Sequence, residues 1–193
     1  AVKVEKIYKK IKKDNPNFKV ILGNEIYLCR NGLNASNFNR EYDKYYHFVL
    51  LAKDAIGHKQ IREISTRAWR RSYMARGMRR VPTYYEDLIE IVGGNPGHVI
   101  GSTACLGGFL GTQILKWVVN GRPKSTYEQI IDWLKRVESI FGVGNFYLEM
   151  QNHGISEQKQ IEPLLIKLSN ETGIPLVATT DTHYVNREDS KTQ

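Results

Sequence analysis

Apolar residues recur at helical spacing in some stretches of the chain and bunch into short β-branched runs in others. Residues 3–13 place Val4, Ile7, Tyr8 and Ile11 on one face of a short amphipathic helix. "FKVILGNEIYLC" (18–29) reads as a strand, the polar, Asn-rich residues 30–43 as a surface loop, and "YYHFVLLA" (45–52) as a strand buried on both faces. Residues 54–74 form a helix with a stripe of Ile56, Ile61, Ile64, Ala68 and Trp69. "TYYE" (83–86) has the capping-box pattern, Thr83 answered by Glu86, and opens a helix to about Val92. A strand at 97–105 runs into a turn, and a helix spans 106–121.

A second box, "STYE" (125–128), precedes Tyr127, Ile130, Ile131, Leu134, Val137 and Phe141, the clearest helical face in the chain. A strand at 145–151, a helix at 156–173 ending on Gly173 and a strand at 174–180 complete the pattern. Pro163 either kinks that helix or moves its start toward Glu162. From residue 97 the alternation of strands and helices implies α/β architecture with mostly parallel strands. No repeat or interdomain linker interrupts residues 1–193, which read as a single domain.

Composition narrows the partners more than the fold. The 193 residues are 41% hydrophobic and 25% charged, enough for one domain with a real core or most of a larger one. A net charge of +8 favours anionic partners such as nucleic acid, although a lysine-rich soluble protein carries the same balance. Two cysteines, Cys29 and Cys105, give no disulfide framework and suit a reducing, cytoplasmic setting. No apolar run approaches the ~20 residues of a membrane span, and no signal-peptide core is present. The chain opens directly in a helix and stops after "NREDSKTQ", which reads as a fragment of a longer protein, with an ordinary processed chain as the alternative.

The candidate chemistry begins with "LVATTDTHYVN" (176–186). In extended backbone Asp181 and His183 point to one face, at the carboxyl end of a strand, where α/β barrels build their sites. Such a pair binds a divalent metal or hydrogen-bonds within a loop. Glu25, His47 and Cys105 lie on or just after other strands, and Glu149 and His153 flank Gln151. Each has an ordinary structural reading, but a metal-ligand type recurs along successive strands, and a mixed Glu/His/Cys/Asp set favours zinc or manganese. Arg67, Arg70, Arg71, Arg76, Arg79 and Arg80, interleaved with aromatics in "WRRSYMARGMRR", either track a phosphate backbone or form a solvated basic face.

Together "VILGNEIYL", "YYHFVLLAKDAIGHKQI", "GSTACLGG", "FYLEMQNHGISEQKQI" and "GIPLVATTDTHYVNREDS" resemble one family, from about Phe18 to Ser190. It is the polymerase-and-histidinol-phosphatase (PHP) domain found at the amino end of the bacterial DNA polymerase III alpha subunit. The resemblance implies a distorted β/α, TIM-like barrel holding up to three metal ions. It implies ligand positions at Glu25, His47, Cys105, Asp181 and His183, with Asp181 and His183 fixing one catalytic metal, and second-shell or structural places for Glu149 and His153. The family's amino-terminal His-x-His motif is not among the histidines here, so the barrel is expected to be incomplete at its amino end, with fewer ions. The basic segment 67–80 is outside the match.

The resemblance further implies a role in DNA replication. It is consistent with a metal-dependent 3′–5′ exonuclease, with a purely structural module supporting a polymerase core, or with a free-standing PHP phosphatase. Implied partners are DNA, a sliding clamp, a clamp loader and a proofreading subunit.

Overall fold

The computed structural model describes residues 2–29, 45–75 and 77–192. The loop expected at 30–43 and Arg76 lie outside the described residues. Among them, no helix is long and apolar enough to cross a membrane. Helix α1 (Val2–Asp14) leads to strand β1 (Gly23–Cys29), followed by β2 (Tyr45–Ala52), α2 (Ala55–Arg70), β3 (Tyr73–Ala75), β4 (Met78–Arg80) and β5 (Pro82–Thr83). A short helix α3 (Tyr85–Asp87) runs into a π-helical segment (Leu88–Gly93). Then come β6 (Val99–Ser102), α4 (Phe109–Val119), α5 (Lys124–Phe141), β7 (Phe146–Gln151), α6 (Ser156–Thr172), β8 (Leu176–Thr179) and a 3-10 turn (Arg187–Thr192).

Six strands form one mixed sheet in the order β5-β1-β2-β6-β7-β8. The expected parallel run from residue 97 holds, since β7 pairs parallel with both β6 and β8. The pairings of β2 with β1 and β6 are antiparallel. The described strands make an open sheet of α/β type, with no barrel closure among the described residues.

Strand alternation divides this sheet into two unlike faces. Ile26, Leu28, Phe48, Leu50, Val99, Phe146 and Leu148 are buried in one core with Ile61 and Ile64 of α2, Leu134 and Phe141 of α5, and Leu165 and Leu168 of α6. Phe48, Phe141 and Phe146 stack there, with ring centroids 5.8–6.0 Å apart. The register puts Glu25 opposite Val49, Tyr27 opposite His47 and Val49 opposite Ser102, which gives the second face its mixed polar character. Ser102 faces Tyr147, and on the outer strands Glu149 faces Val177. Apart from Ser102 these residues are partly or fully exposed.

Several element ends differ from the sequence pattern for physical reasons. β1 begins only at Gly23; Val20, Ile21 and Leu22 are exposed, and the recorded pairing of β1 with β2 starts at Gly23. α2 ends at Arg70, and the β3–β4 hairpin turning at Gly77 (φ 75°) replaces its expected last turn. Trp69 and Ile56 are exposed, and Gly57, Gln60, Ile61, Ile64 and Ala68 form the buried face instead. The first expected capping box shifts by one residue. Thr83 is buried in β5 beside β1, while the Tyr84 backbone N–H donates to Asp87 at 3.1 Å. At α5 no side chain caps the helix, which starts at Lys124 after Pro123, so the second box is not formed. α4 begins at Phe109, and β6 ends at Ser102. α6 starts at Ser156 with Pro163 inside it, and Gly173 closes it in the left-handed conformation (φ 77°).

Asp54 caps α2, accepting from the Gly57 N–H at 2.9 Å and pairing with His98 Nδ1 at 2.6 Å. Its carboxyl is held below the ordinary range, first by the Gly57 N–H and then by His98. A carboxyl depressed in the folded state stabilises above its unfolded pKa, and that contribution is lost as pH falls through the folded value. Asp54→Ala is therefore expected to melt below wild type at pH 7, with the gap closing as pH falls below about 4. Melting curves across pH check this; a gap constant with pH rules out the cap as its source.

Candidate functional site

Three side chains from separate parts of the sequence meet on the open face of the sheet. Glu25 leaves the middle of β1, and the β1–β2 register brings its carboxylate to His47 Nδ1 at 2.8 Å. Cys105 Sγ lies 3.6 Å from the same nitrogen. The turn after β6 makes this possible. His47 bridges to Gly108, and its backbone N–H donates to the Gly107 carbonyl at 3.1 Å. A Cβ on Gly108 would stand 2.1 Å from the Thr103 carbonyl oxygen, so this close turn requires glycine.

Asp181 and His183 lie beyond the end of β8. Asp181 has φ 45°, and the extended-strand geometry expected for the pair does not hold. His183 Nδ1 instead hydrogen-bonds the Asp181 carbonyl at 2.7 Å and lies 3.9 Å from its carboxylate. With a carbonyl as acceptor, Nδ1 carries the proton and Nε2 keeps a lone pair for a ligand. Ala104, immediately before Cys105, is also left-handed (φ 57°). Non-glycine residues in this region are uncommon and concentrate at functional sites.

The Cys105 thiol connects the two groups electrostatically. Burial pushes its pKa up, a hydrogen bond from the Gly107 N–H opposes this, and the carboxylates of Asp181 and Glu25 raise it further. Two carboxylates therefore act on one half-buried sulfur from opposite ends of the sequence.

Glu149 and His153 are already committed to protein contacts. The Glu149 carboxylate accepts from the hydroxyls of Ser102 and Thr179 and from Gln151 Nε2 at 3.1 Å. His153 Nδ1 faces Gln158 Nε2 at 3.0 Å, and Nε2 faces the Thr180 carbonyl at 2.7 Å. The Gln158 oxygen accepts the His153 backbone N–H at 2.7 Å, which fixes the amide and makes Nδ1 the acceptor. The sequence reading missed Gln158, Ser102 and Thr179. Gln158 had one available signal, a long amide side chain in the first turn of α6, five residues after His153.

The arginine cluster splits. Arg67 binds Glu63 at 2.9 Å and Glu90 through two bonds of 2.7 and 2.8 Å. Arg71 holds the buried Asp87 and lies over the Tyr84 ring at 4.3 Å. Arg67 ties α2 to Glu90 of the π-helical segment, Arg71 just past α2 ties to Asp87 of α3, and both are already neutralised. Arg79 donates to the Ser72 hydroxyl at 3.1 Å, while Arg70 and Arg80 have no acidic partner among the described residues.

Among the described residues, no three His, Cys, Asp or Glu side chains are grouped to hold a metal ion. Glu25 and Cys105 both engage the same His47 nitrogen. The donor chemistry nonetheless suits a divalent cation. Carboxylate, imidazole and thiol stand in contact, and the charges that reach the thiol are negative and open to compensation.

A profile of one protein family, the PHP domain, matches residues 2–153. The probable DNA polymerase YorL of Bacillus subtilis (strain 168) is 35% identical over 188 residues, 93% of this chain and 14% of that protein. The DNA polymerase III subunit alpha of Borreliella burgdorferi is 34% identical over 192 residues, 97% of this chain and 15% of that protein. The same subunit of Treponema pallidum is 32% identical over 179 residues, 91% of this chain and 14% of that protein. The chain thus spans about one seventh of the length of these relatives.

Proposed function

The chain belongs to the PHP domain family, and on that footing we propose that residues 1–193 are one domain of a replicative DNA polymerase of the DNA polymerase III alpha type. Its site hydrolyses phosphoesters, as a 3′–5′ exonuclease, with a divalent cation. The contact of Glu25, His47 and Cys105 within the field of Asp181 carries this reading. Glu25, His47, Cys105, Asp181 and His183 would hold the cation, zinc or manganese by donor chemistry. A bound divalent cation supplies Lewis acidity at a phosphoryl oxygen. The chain's own groups prepare for it. Burial and the nearby carboxylates hold the Cys105 thiol up, the Gly107 N–H offsets part of that push, and the Asp181 carbonyl orients His183 with Nε2 free. DNA and other replisome subunits are the partners this role brings, the clamp, clamp loader and proofreading subunit among them. The parallel strands β6 to β8 fit part of a PHP barrel.

A second reading is architectural, with the domain bracing a polymerase core. The mutual pairing of Glu25 and Cys105 with one His47 nitrogen, which joins β1, β2 and the turn after β6, favours it. The polymerase names of the relatives speak against a free-standing phosphatase.

Zinc titration by calorimetry tests the assignment. Cys105→Ser is expected to weaken zinc binding by at least about 10-fold. Equal affinity in the two proteins takes Cys105 out of the ligand set. Zinc that raises the melting temperature without any cleavage supports the architectural reading.

A further inference from the structure

Aromatic rings lead from the basic hairpin to the Glu25–His47–Cys105 centre. The Tyr73 hydroxyl on β3 meets the Tyr45 hydroxyl at the start of β2. Tyr45 stands edge-on to Tyr27 with ring centroids 6.3 Å apart, and Tyr27 stands edge-on to His47 at 5.3 Å. Trp69, 58% exposed, lines a cleft of about 200 Å³ between α2 and β1 together with Tyr27 and Glu25. Positive charge runs beside the rings. Hairpin pairing sets Arg80 opposite Tyr73 and Arg79 opposite Met74, and Arg70 follows Trp69. Arg70 and Arg80 have no acidic partner among the described residues, unlike Arg67 and Arg71.

Uncompensated cations beside open aromatic rings are what a single nucleic-acid strand requires. Phosphates pair with guanidinium groups, and unstacked bases lie on ring faces whatever their sequence. A duplex keeps its bases stacked on one another and gains only the charge contacts.

We propose that Trp69, Tyr27 and the arginines Arg70, Arg79 and Arg80 form a single-strand track that delivers a strand end to the Glu25–His47–Cys105 centre. The delivery rests on reading that centre as the phosphoester-cleaving site; the strand binding does not. Fluorescence anisotropy with a labelled oligothymidine of about 15 nucleotides, alone and as a duplex with oligoadenosine, tests the track.

The single strand is expected to bind more tightly than the duplex. Arg79→Gln/Arg80→Gln is expected to flatten the slope of log affinity against log salt by about 1.4. Trp69→Ala is expected to weaken binding about 10-fold without changing that slope. Trp69 and Arg79 are exposed and Arg80 is half-buried outside the apolar core, so the variants leave that core intact. Equal binding of duplex, an unaltered slope in the double variant, or full affinity in Trp69→Ala overturns the track. Hydrolysis by Glu25→Gln is measured separately. Activity equal to wild type there, with the binding pattern as expected, defeats the reading of the centre and leaves the strand surface standing. Glu25-dependent hydrolysis with unaffected binding in the track variants has the opposite meaning.

Discussion

In a polymerase-length protein carrying this sequence, Asp181→Ala is expected to lower metal-dependent 3′–5′ cleavage by about 100-fold or more while leaving nucleotide incorporation intact. Two observations make Asp181 the most informative position. Its carboxylate acts on the Cys105 thiol across the site, and its left-handed backbone places its own carbonyl on His183 Nδ1. Alanine removes the carboxylate and keeps the carbonyl, so His183 remains oriented and the variant isolates the charge. The left-handed conformation costs alanine more than aspartate, so the folded fraction is measured alongside. Cleavage at the wild-type rate removes Asp181 from the catalytic set. Loss of incorporation together with cleavage means that the segment supports the polymerase as architecture.

Gly57→Ala is expected to destabilise the fold by about 3 kcal/mol. On an exposed helix position this substitution would stabilise by nearly 1 kcal/mol. Here a Cβ would stand 1.9 Å from the His98 carbonyl oxygen and 3.4 Å from Val99 Cγ2. That carbonyl cannot retreat freely, because it accepts the Lys53 N–H at 2.9 Å just before β6. The neighbouring Asp54–His98 pair holds the same junction from the side-chain direction. Either α2 lifts away from the sheet, exposing Ile61 and Ile64, or the Lys53 bond breaks. A calorimetric melting temperature lower by about 6–12 °C is the expected reading. An unchanged melting temperature shows that α2 accommodates the methyl group by a shift too small to disturb the core.

What the sequence conveyed and what it hid follow from the range of the forces involved. Helices α5 and α6 and strands β2 and β7 were legible because burial imposes a period on their residues. The β3–β4 hairpin carried no such period. Its strands are three residues long and mostly arginine and methionine at the surface, so no face is marked. The π-helical segment has no pattern of its own. The shift of the cap from Thr83 to Tyr84 depended on Thr83 pairing with β1, a contact more than fifty residues away in the chain. At the site, residue types and the strands that carry them were legible. The meeting of Glu25 with His47 depends on strand register, and that of His47 with Cys105 on a glycine turn. The extended geometry inferred for Asp181 and His183 failed because β8 ends at Thr179, two residues too early.

The two faces of the sheet separate packing from polar chemistry. Fold energy resides in the phenylalanine and aliphatic layer, while Glu25 and His47 project from the opposite side of the same strands. If the open face carries the proposed phosphoester hydrolysis, substitutions there can remove it residue by residue without loosening the layer beneath, and leave the domain as scaffold. Descendants that have lost cleavage would retain Phe48, Phe141 and Phe146 long after Glu25 had drifted. The same separation means that activity lost by mutation on the open face is recoverable by reversion, because the scaffold that must receive the restored residue never left.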